Sequence, residues 1–363
     1  MAIANKRFSV LIPAYNHGRF IAHCIDSVLA QTYRDFDIWV IDDCSSDDTV
    51  EVVKSYDDPR IHLVVNDFNH GVNCTVTRLV EMSKGEYVCG LASDDAIQPS
   101  YLEEAAAVFE KCPDVGVVYC DLHVIDENGR SPRAASKAIR RNTRLTREQI
   151  VREIFLRHQV LWSPCRCVRR SVLESIMPLP PSFMQLQDVE EAVRLLLRTD
   201  LYVVKTPLVD YRVFGGNISA AGELVTMRTE CEDTILMSEF LGIGSDDFLN
   251  RAFADDLKPL ALAFGKFDRR YVLARLALTS ELENKRRWGY IQLLHLVAEK
   301  GMDGLYAEFG ISYKDILSVS KSLYNPKKDY KRKCRRLRTR IRCLAWALFA
   351  ASSLIAVLAF IAF

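Results

Sequence analysis

Short apolar runs alternate with stretches of helical periodicity through the first third of the chain. Phe8–Ala14 (FSVLIPA) reads as a buried strand, and Arg19–Thr32 places Phe20, Cys24, Ile25, Val28 and Leu29 on one helical face. The alternation continues with strands at Phe36–Ile41, Ile61–Val65, Tyr87–Ala92 and Val115–Tyr119. Helices are expected at Thr49–Ser55, Cys74–Ser83 and Tyr101–Lys111, with Lys84-Gly85 closing the second in the manner of a C-cap. Strands that alternate with helices of about ten residues predict an α/β fold with a parallel sheet covered by helices on both faces.

Such sheets bind ligands beyond the carboxyl ends of their strands. Three polar clusters directly follow predicted strands: Ala14-Tyr15-Asn16, Asp42-Asp43 and Ser93-Asp94-Asp95. All three are therefore expected on one rim. Arg130–Arg147 is polar and basic and reads as a surface loop, residues 150–219 mix helix and strand signals, and residues 223–322 are mainly helical.

Charge changes the picture at the C-terminus. The formal net charge of +1 hides ten Lys or Arg and one acid between Lys327 and Arg342, while the rest of the chain carries 38 basic and 46 acidic side chains. An acidic body with one basic collar argues against a nucleic-acid partner. Cys343–Phe363 follows the collar as 21 residues without a charge. A helix of that length spans roughly 30 Å, the thickness of a hydrocarbon core. The expectation is a membrane-anchored, single-pass protein whose catalytic body is cytoplasmic under the positive-inside rule and whose collar meets an anionic membrane surface. The segments are then residues 1–222, a helical accessory region 223–326, a juxtamembrane collar 327–342 and a transmembrane helix 343–363. The start of the chain has no signal-peptide pattern. Eleven scattered cysteines with no paired C-x-x-C spacing point to reduced thiols rather than a disulfide scaffold.

Among the rim clusters, Asp94 and Asp95 are two adjacent carboxylates ending a hydrophobic strand, and they repel unless a cation or a donor relieves them. Hard oxygen ligands of this kind suit Mg²⁺ or Mn²⁺, although Asp is equally at home in turns and caps. Asp43 can accept hydrogen bonds from a base or ribose or can belong to a strand-to-helix turn; Tyr15 can stack on a base or be an edge aromatic.

Read together, the ordered blocks I-P-A-Y-N (12–16), V-I-D-D-C-S-S-D-D-T (40–49), N-H-G-V (69–72), K-G-E-Y (84–87), S-D-D (93–95), D-V-E-E-A-V-R-L (188–195) and Y-R-V-F-G-G-N-I-S (211–219) resemble the family-two inverting glycosyltransferases. The resemblance covers about residues 7–220. It implies a GT-A fold, a Rossmann-like nucleotide-binding half joined to an acceptor-binding half. It further implies that Asp43, Pro13 and Tyr15 contact the nucleotide, that Asp94 lies near the ribose or donor sugar, and that Asp95 holds a Mn²⁺ or Mg²⁺ cofactor. Asp188 matches the general base. The implied partners are a nucleotide-sugar donor and a glycan or lipid-linked acceptor. Arg194 and Arg212 are candidates to neutralise phosphate, with ordinary salt bridges the alternative.

Two positions depart from the family pattern. Phe214 stands where many relatives carry His, and Phe cannot ligate a metal; Val76-Thr77 replaces a frequent Arg-Asn pair. Two other readings accompany transfer to a hydroxyl: a polyprenyl-phosphate sugar transferase, and a non-catalytic nucleotide-sugar-binding subunit.

Overall fold

All seven residues of Phe36–Asp42 are buried, Asp37 and Asp42 among them, as in a strand of a sheet covered on both faces. This strand, β2, belongs to a computed structural model that describes residues 7–131, 145–157, 160–161, 164–215 and 222–323. In chain order the N-terminal elements are β1 (Phe8–Ala14), α1 (Gly18–Leu29), β2, α2 (Thr49–Lys54), β3 (Ile61–Val65), α3 (Val72–Met82), β4 (Tyr87–Leu91), β5 (Ala96–Ile97), α4 (Tyr101–Lys111) and β6 (Val115–Ile125). Next come α5 (Arg147–Leu156), β7 (Cys165–Arg169), α6 (Arg170–Glu174), α7 (Gln187–Leu196), β8 (Asp200–Arg212) and α8 (Glu223–Gly242). The chain continues through α9 (Asp246–Ala252), α10 (Ala254–Leu257), α11 (Arg269–Ala277), α12 (Glu283–Phe309) and α13 (Tyr313–Leu323).

The eight strands form one sheet in the order β3-β2-β1-β4-β7-β6-β8-β5. The first four are parallel, as expected. The other half corrects the expectation of a purely parallel sheet, because β7 runs antiparallel to both β4 and β6, and β5 runs antiparallel to β8. β5 follows β4 after only a four-residue turn yet pairs with β8 at the far edge of the sheet.

Side chains along β1 alternate between two cores. Phe8, Val10 and Ile12 join the cluster under α1 and α4, whereas Leu11 joins the larger one formed with α3, α5 and α7. Leu236, Met237 and Phe240 of α8, Phe248 of α9 and Leu273 of α11 belong to that second cluster as well. Helices α8, α9 and α11, which the sequence set apart, therefore share the core of the sheet. The described residues fall into two compact units, one ending at Gln292 and the other beginning at Leu293. Within the second, α12 is broken at Gly301 (φ 70°) and Lys300 pairs with Glu308 at 2.8 Å.

Helix α1 stops before the expected Thr32 because Gln31 turns inward: fully buried, its Nε2 donates to the carbonyls of Ser27 and Gln98 at 3.1 and 2.8 Å. Gly85 is not a left-handed cap. The helix ends at Ser83 in extended conformation, and a Cβ on Gly85 would lie 2.5 Å from the backbone nitrogen of Ser9. The glycine is there so that two backbones can touch.

Among the described residues no helix is long and apolar enough to cross a membrane. This corrects the expectation of a membrane-anchored, single-pass protein. The two longest helices, α8 and α12, carry acidic and basic side chains along their length, which a hydrocarbon core would penalise. The segments 327–342 and 343–363, on which the expectation rested, lie outside the described residues, as do 132–144 of the expected surface loop. The nine cysteines among the described residues are all free.

Candidate functional site

β1 and β2 pair in register from Phe8 with Phe36 to Ala14 with Asp42, so the residues after them emerge side by side. The backbone nitrogen of Asp43 donates to the carbonyl of Ala14 at 2.8 Å. Asn16 and Cys44 both adopt left-handed backbone, with φ of 53° and 67°, a region that Asn tolerates better than most residues. Asn16 then laces the two tips together. Its N–H donates to Ser45 Oγ and its Oδ1 accepts from the Ser46 N–H, both at 2.8 Å. Tyr15, between these anchors, stays 47% exposed.

Asp43 is 4% exposed and its carboxylate is largely committed to its own chain. Oδ1 accepts from Asn66 Nδ2 at 2.7 Å and from the His70 N–H at 2.9 Å, and Oδ2 accepts from the Gly71 N–H at 2.8 Å. Three of about four acceptor positions on the carboxylate are thus filled. Arg78 donates to the side-chain oxygen of Asn66 and extends this chain. Asp43 therefore anchors the segment 66–71, whose Asn69, His70 and Gly71 line the same cleft as Asp43 itself.

Asp94 and Asp95 sit on the turn from β4 to β5. Asp95 is 1% exposed, and its Oδ1 accepts from the backbone N–H of Arg212 at 2.7 Å. Burial pushes both carboxyls up from the usual carboxylate range. Asp94 raises Asp95 further by like charge, while His17 and Arg212 oppose the rise at Asp94. Such a pair is short of positive charge. Among the described residues no three His, Cys, Asp or Glu side chains cluster as a metal cage. The set fits an ion that takes one or two carboxylates from protein and the rest of its shell from phosphate and water, as Mg²⁺ and Mn²⁺ do.

Asp188 lies in the first turn of α7, half-buried, with its Oδ1 accepting from the Val189 N–H at 2.9 Å. Val189, Val193 and Leu196 on the same helix are buried in the core and set which way Asp188 faces. Pro13, Tyr15, Asp43, Asp94, Asp95 and Asp188 all line one cleft of about 1850 Å³.

Neither arginine singled out for phosphate lines that cleft. Arg212 is 3% exposed, and its guanidinium donates to the carbonyls of Asp94 (2.7 Å), Asp126 (3.0 Å) and Glu127 (3.3 Å) and bonds His23 Nδ1 (2.9 Å). It is a clamp on the Asp94-Asp95 turn. Arg194 reaches Glu190 and the carbonyl of Pro178, both at 3.4 Å.

Two features of the cleft had no sequence signal. Arg166 of β7, half-buried, and the buried Glu191 of α7 form a two-bond pair, one bond at 2.9 Å, and both line the cleft. Arg166 lies across β4 at Gly90, where a Cβ would come within 2.8 Å of its Nη1. His17 also lines the cleft, with Nδ1 bonded to Ser93 Oγ at 2.7 Å. Its ring packs edge-on to Phe214, centroids 6.1 Å apart, so an imidazole does stand beside Phe214, but it comes from the β1–α1 junction. A lone His in a turn and one Arg in C-R-C-V-R resemble ordinary surface residues until the sheet places them.

Residues 9–177 match glycosyl transferase family 2. The chain is 32% identical over 123 residues to the chondroitin synthase of Escherichia coli, which covers 33% of this chain and 18% of that protein. It is 33% identical over 126 residues to an uncharacterized glycosyltransferase of Rickettsia prowazekii, covering 34% of this chain and 38% of that protein. The chain thus spans well under half the length of these relatives. In structure it is similar to residues 1–349 of Staphylococcus aureus TarS in complex with UDP-GlcNAc, with a TM-score of 0.54 and 20% identity over 82% of this chain and 89% of that one. At that identity the likeness speaks for the fold.

Proposed function

We propose that this chain, whose residues 9–177 match glycosyl transferase family 2, is a glycosyltransferase that moves a sugar from a nucleoside-diphosphate sugar to a hydroxyl of a glycan or lipid-linked acceptor with inversion at the anomeric carbon. The observation that carries this reading is the single cleft whose walls hold Tyr15, Asp43 and Asp94-Asp95 together with Asp188.

Tyr15, open to the cleft, offers a face for the base. Asp43 holds the 66–71 segment at the nucleotide end of the cleft, and its remaining acceptor position would serve the base or ribose. Asp94 and Asp95 would hold Mn²⁺ or Mg²⁺. When bound, that ion supplies charge neutralisation for the departing diphosphate. Asp188 accepts the proton of the acceptor hydroxyl. The hydroxyl oxygen bonds to the anomeric carbon as the bond from that carbon to the diphosphate oxygen breaks, and the nucleoside diphosphate leaves with the electron pair. His17, next to Ser93-Asp94, offers a donor on the diphosphate side.

A panel of nucleotide sugars tests this, read as Mn²⁺- or Mg²⁺-dependent thermal stabilisation and as release of nucleoside diphosphate. A donor at 100 times its Kd should stabilise the fold by about 2.7 kcal/mol. No stabilisation by any donor at millimolar concentration counts against the reading. Retained anomeric configuration in the product, read by NMR, would rule out the single displacement.

A further inference from the structure

Three successive backbone N–H groups converge on one carboxylate. Glu232, on α8, accepts from Met184 at 3.1 Å through Oε1 and from Gln185 and Leu186 at 2.8 Å each through Oε2. Glu232 is 5% exposed. A carboxylate taken out of water to this degree is tolerated because its oxygens are hydrogen-bonded, and bonds from N–H groups to an ionised acceptor are roughly twice as strong as neutral ones.

The three donors form the turn that enters α7, and Asp188 lies two residues beyond Leu186. Besides these bonds the turn is held by Leu186, which packs on the larger core, and by the buried Phe183 just before it. Met184 is 62% exposed, Gln185, Leu186 and Gln187 are half-buried, and Leu186, at the N-cap position, supplies no capping side chain. Glu232 also places negative charge near the positive end of α7, a favourable arrangement. Its neighbour Asp233 fixes α8 from the other side. Asp233 accepts from Asn284 Nδ2 at 2.6 Å and from Lys285 Nζ at 3.2 Å, and Lys285 also donates to the carbonyl of Ile154 at 2.6 Å. Lys285 is 2% exposed, so this second anchor is buried too. Helix α8 is thus tied at adjacent residues to α5, to the start of α12 and to the turn before α7.

We propose that Glu232 is a positioning residue: its carboxylate holds the 184–186 turn so that the first turn of α7 presents Asp188 to the cleft. The inference rests on Asp188 being the base. It gives α8 a part in transfer as well as in packing.

The test uses the full chain with E232A, E232Q, D188N and the E232A/D188N double variant. Turnover is read as UDP released from UDP-GlcNAc or GDP released from GDP-mannose, whichever the wild type consumes. Affinity for UDP or GDP is read by calorimetry, and protection of the 184–186 amides by hydrogen exchange. E232A should lower kcat on the order of 10²-fold, the cost of misplacing a catalytic group by about 1 Å, with diphosphate Kd within twofold. The three amides should lose protection, and E232Q, which keeps an accepting oxygen, should lie between E232A and the wild type. Because Glu232 acts through Asp188, the double variant should be no slower than D188N. Unchanged protection of the three amides, or an E232A kcat within twofold of wild type per folded molecule, overturns the proposal. A global fall in thermal stability with no change in kcat assigns Glu232 to structure alone, also against it. Should E232A not fold, E232Q reads the same kcat, Kd and exchange values. Wild-type turnover in D188N sinks the base assignment independently, because the exchange result judges the brace without reference to activity.

Discussion

The backbone N–H of Arg212 donates to Oδ1 of Asp95 at 2.7 Å, while the Arg212 side chain donates to the carbonyl of Asp94 at the same distance. One residue at the end of β8 therefore holds both halves of the acidic turn. It leaves the second oxygen of Asp95 for other work. This separates the structural part of Asp95, which needs only an acceptor atom, from a part that needs negative charge.

Asp95→Asn keeps the acceptor for the Arg212 N–H and removes the charge. Its melting temperature should stay close to that of the wild type while Mn²⁺-dependent donor turnover falls by at least about 10²-fold, several kcal/mol of lost charge stabilisation. Asp95→Ala should lose both. If Asp95→Asn turns over donor like the wild type, Asp95 is not the metal carboxylate.

Arg212→Lys retains charge but not the fork of donors. Carbonyls of Asp94, Asp126 and the exposed Glu127 then compete for one ammonium, and an acceptor left unmade away from water costs about 1–3 kcal/mol. Denaturant unfolding should show a loss of that size per carbonyl left without a donor, and donor turnover should fall with it because the acidic turn is freed. Unchanged stability would mean that Lys reaches the same carbonyls.

The largely buried Arg166–Glu191 pair predicts an asymmetry. Glu191→Ala leaves an uncompensated guanidinium under β4 and should cost about 3–5 kcal/mol, whereas replacing both residues with apolar side chains of similar volume should be nearly neutral. Equilibrium unfolding of the single and double variants decides it. Equal losses in both would show that the pair is worth more than its replacement.

Glu190 gives a pH signature. It is fully buried, and burial raises its carboxyl to about 7, with Glu239 and Glu191 adding to the rise and Arg194 opposing it. The unfolded chain releases that proton near pH 4.5, so the native state holds more protons between about pH 4.5 and 7. Stability is therefore lost as pH rises through this window. Glu190→Gln mimics the protonated form at every pH. Its melting temperature should match the wild type below about pH 4.5 and exceed it above pH 7. A difference that does not vary with pH would contradict this.

Much of the fold was legible because its signals are local. The apolar runs at Phe8–Ala14 and Phe36–Asp42 and the helical face of α1 follow from burial on both sides of a sheet, and the polar clusters after β1, β2 and β4 fall on one rim because parallel strands end together. The order of the motif blocks likewise pointed to glycosyl transfer, and with it to Asp43, Asp95 and Asp188 as a set. Strand direction in the other half of the sheet was not legible. β7 alternates arginine with cysteine and valine, a pattern that says nothing about which neighbours it will meet.

The sequence by itself determined the alternating elements, the acidic rim and the ordered motif blocks, since each depends on residues close together in the chain or on their order. Only the tertiary structure decided what those residues are bonded to. Asp43 turned out to hold a loop of its own chain, Arg212 to clamp a turn where phosphate binding had been one of two readings, and His17 to stand beside Phe214 from a distant part of the chain. Glu232 reaches the turn before Asp188 across 46 residues or more. The reason is physical: a hydrogen bond needs its partners within about 3 Å, and that proximity is created when the sheet and helices pack, not by spacing along the chain.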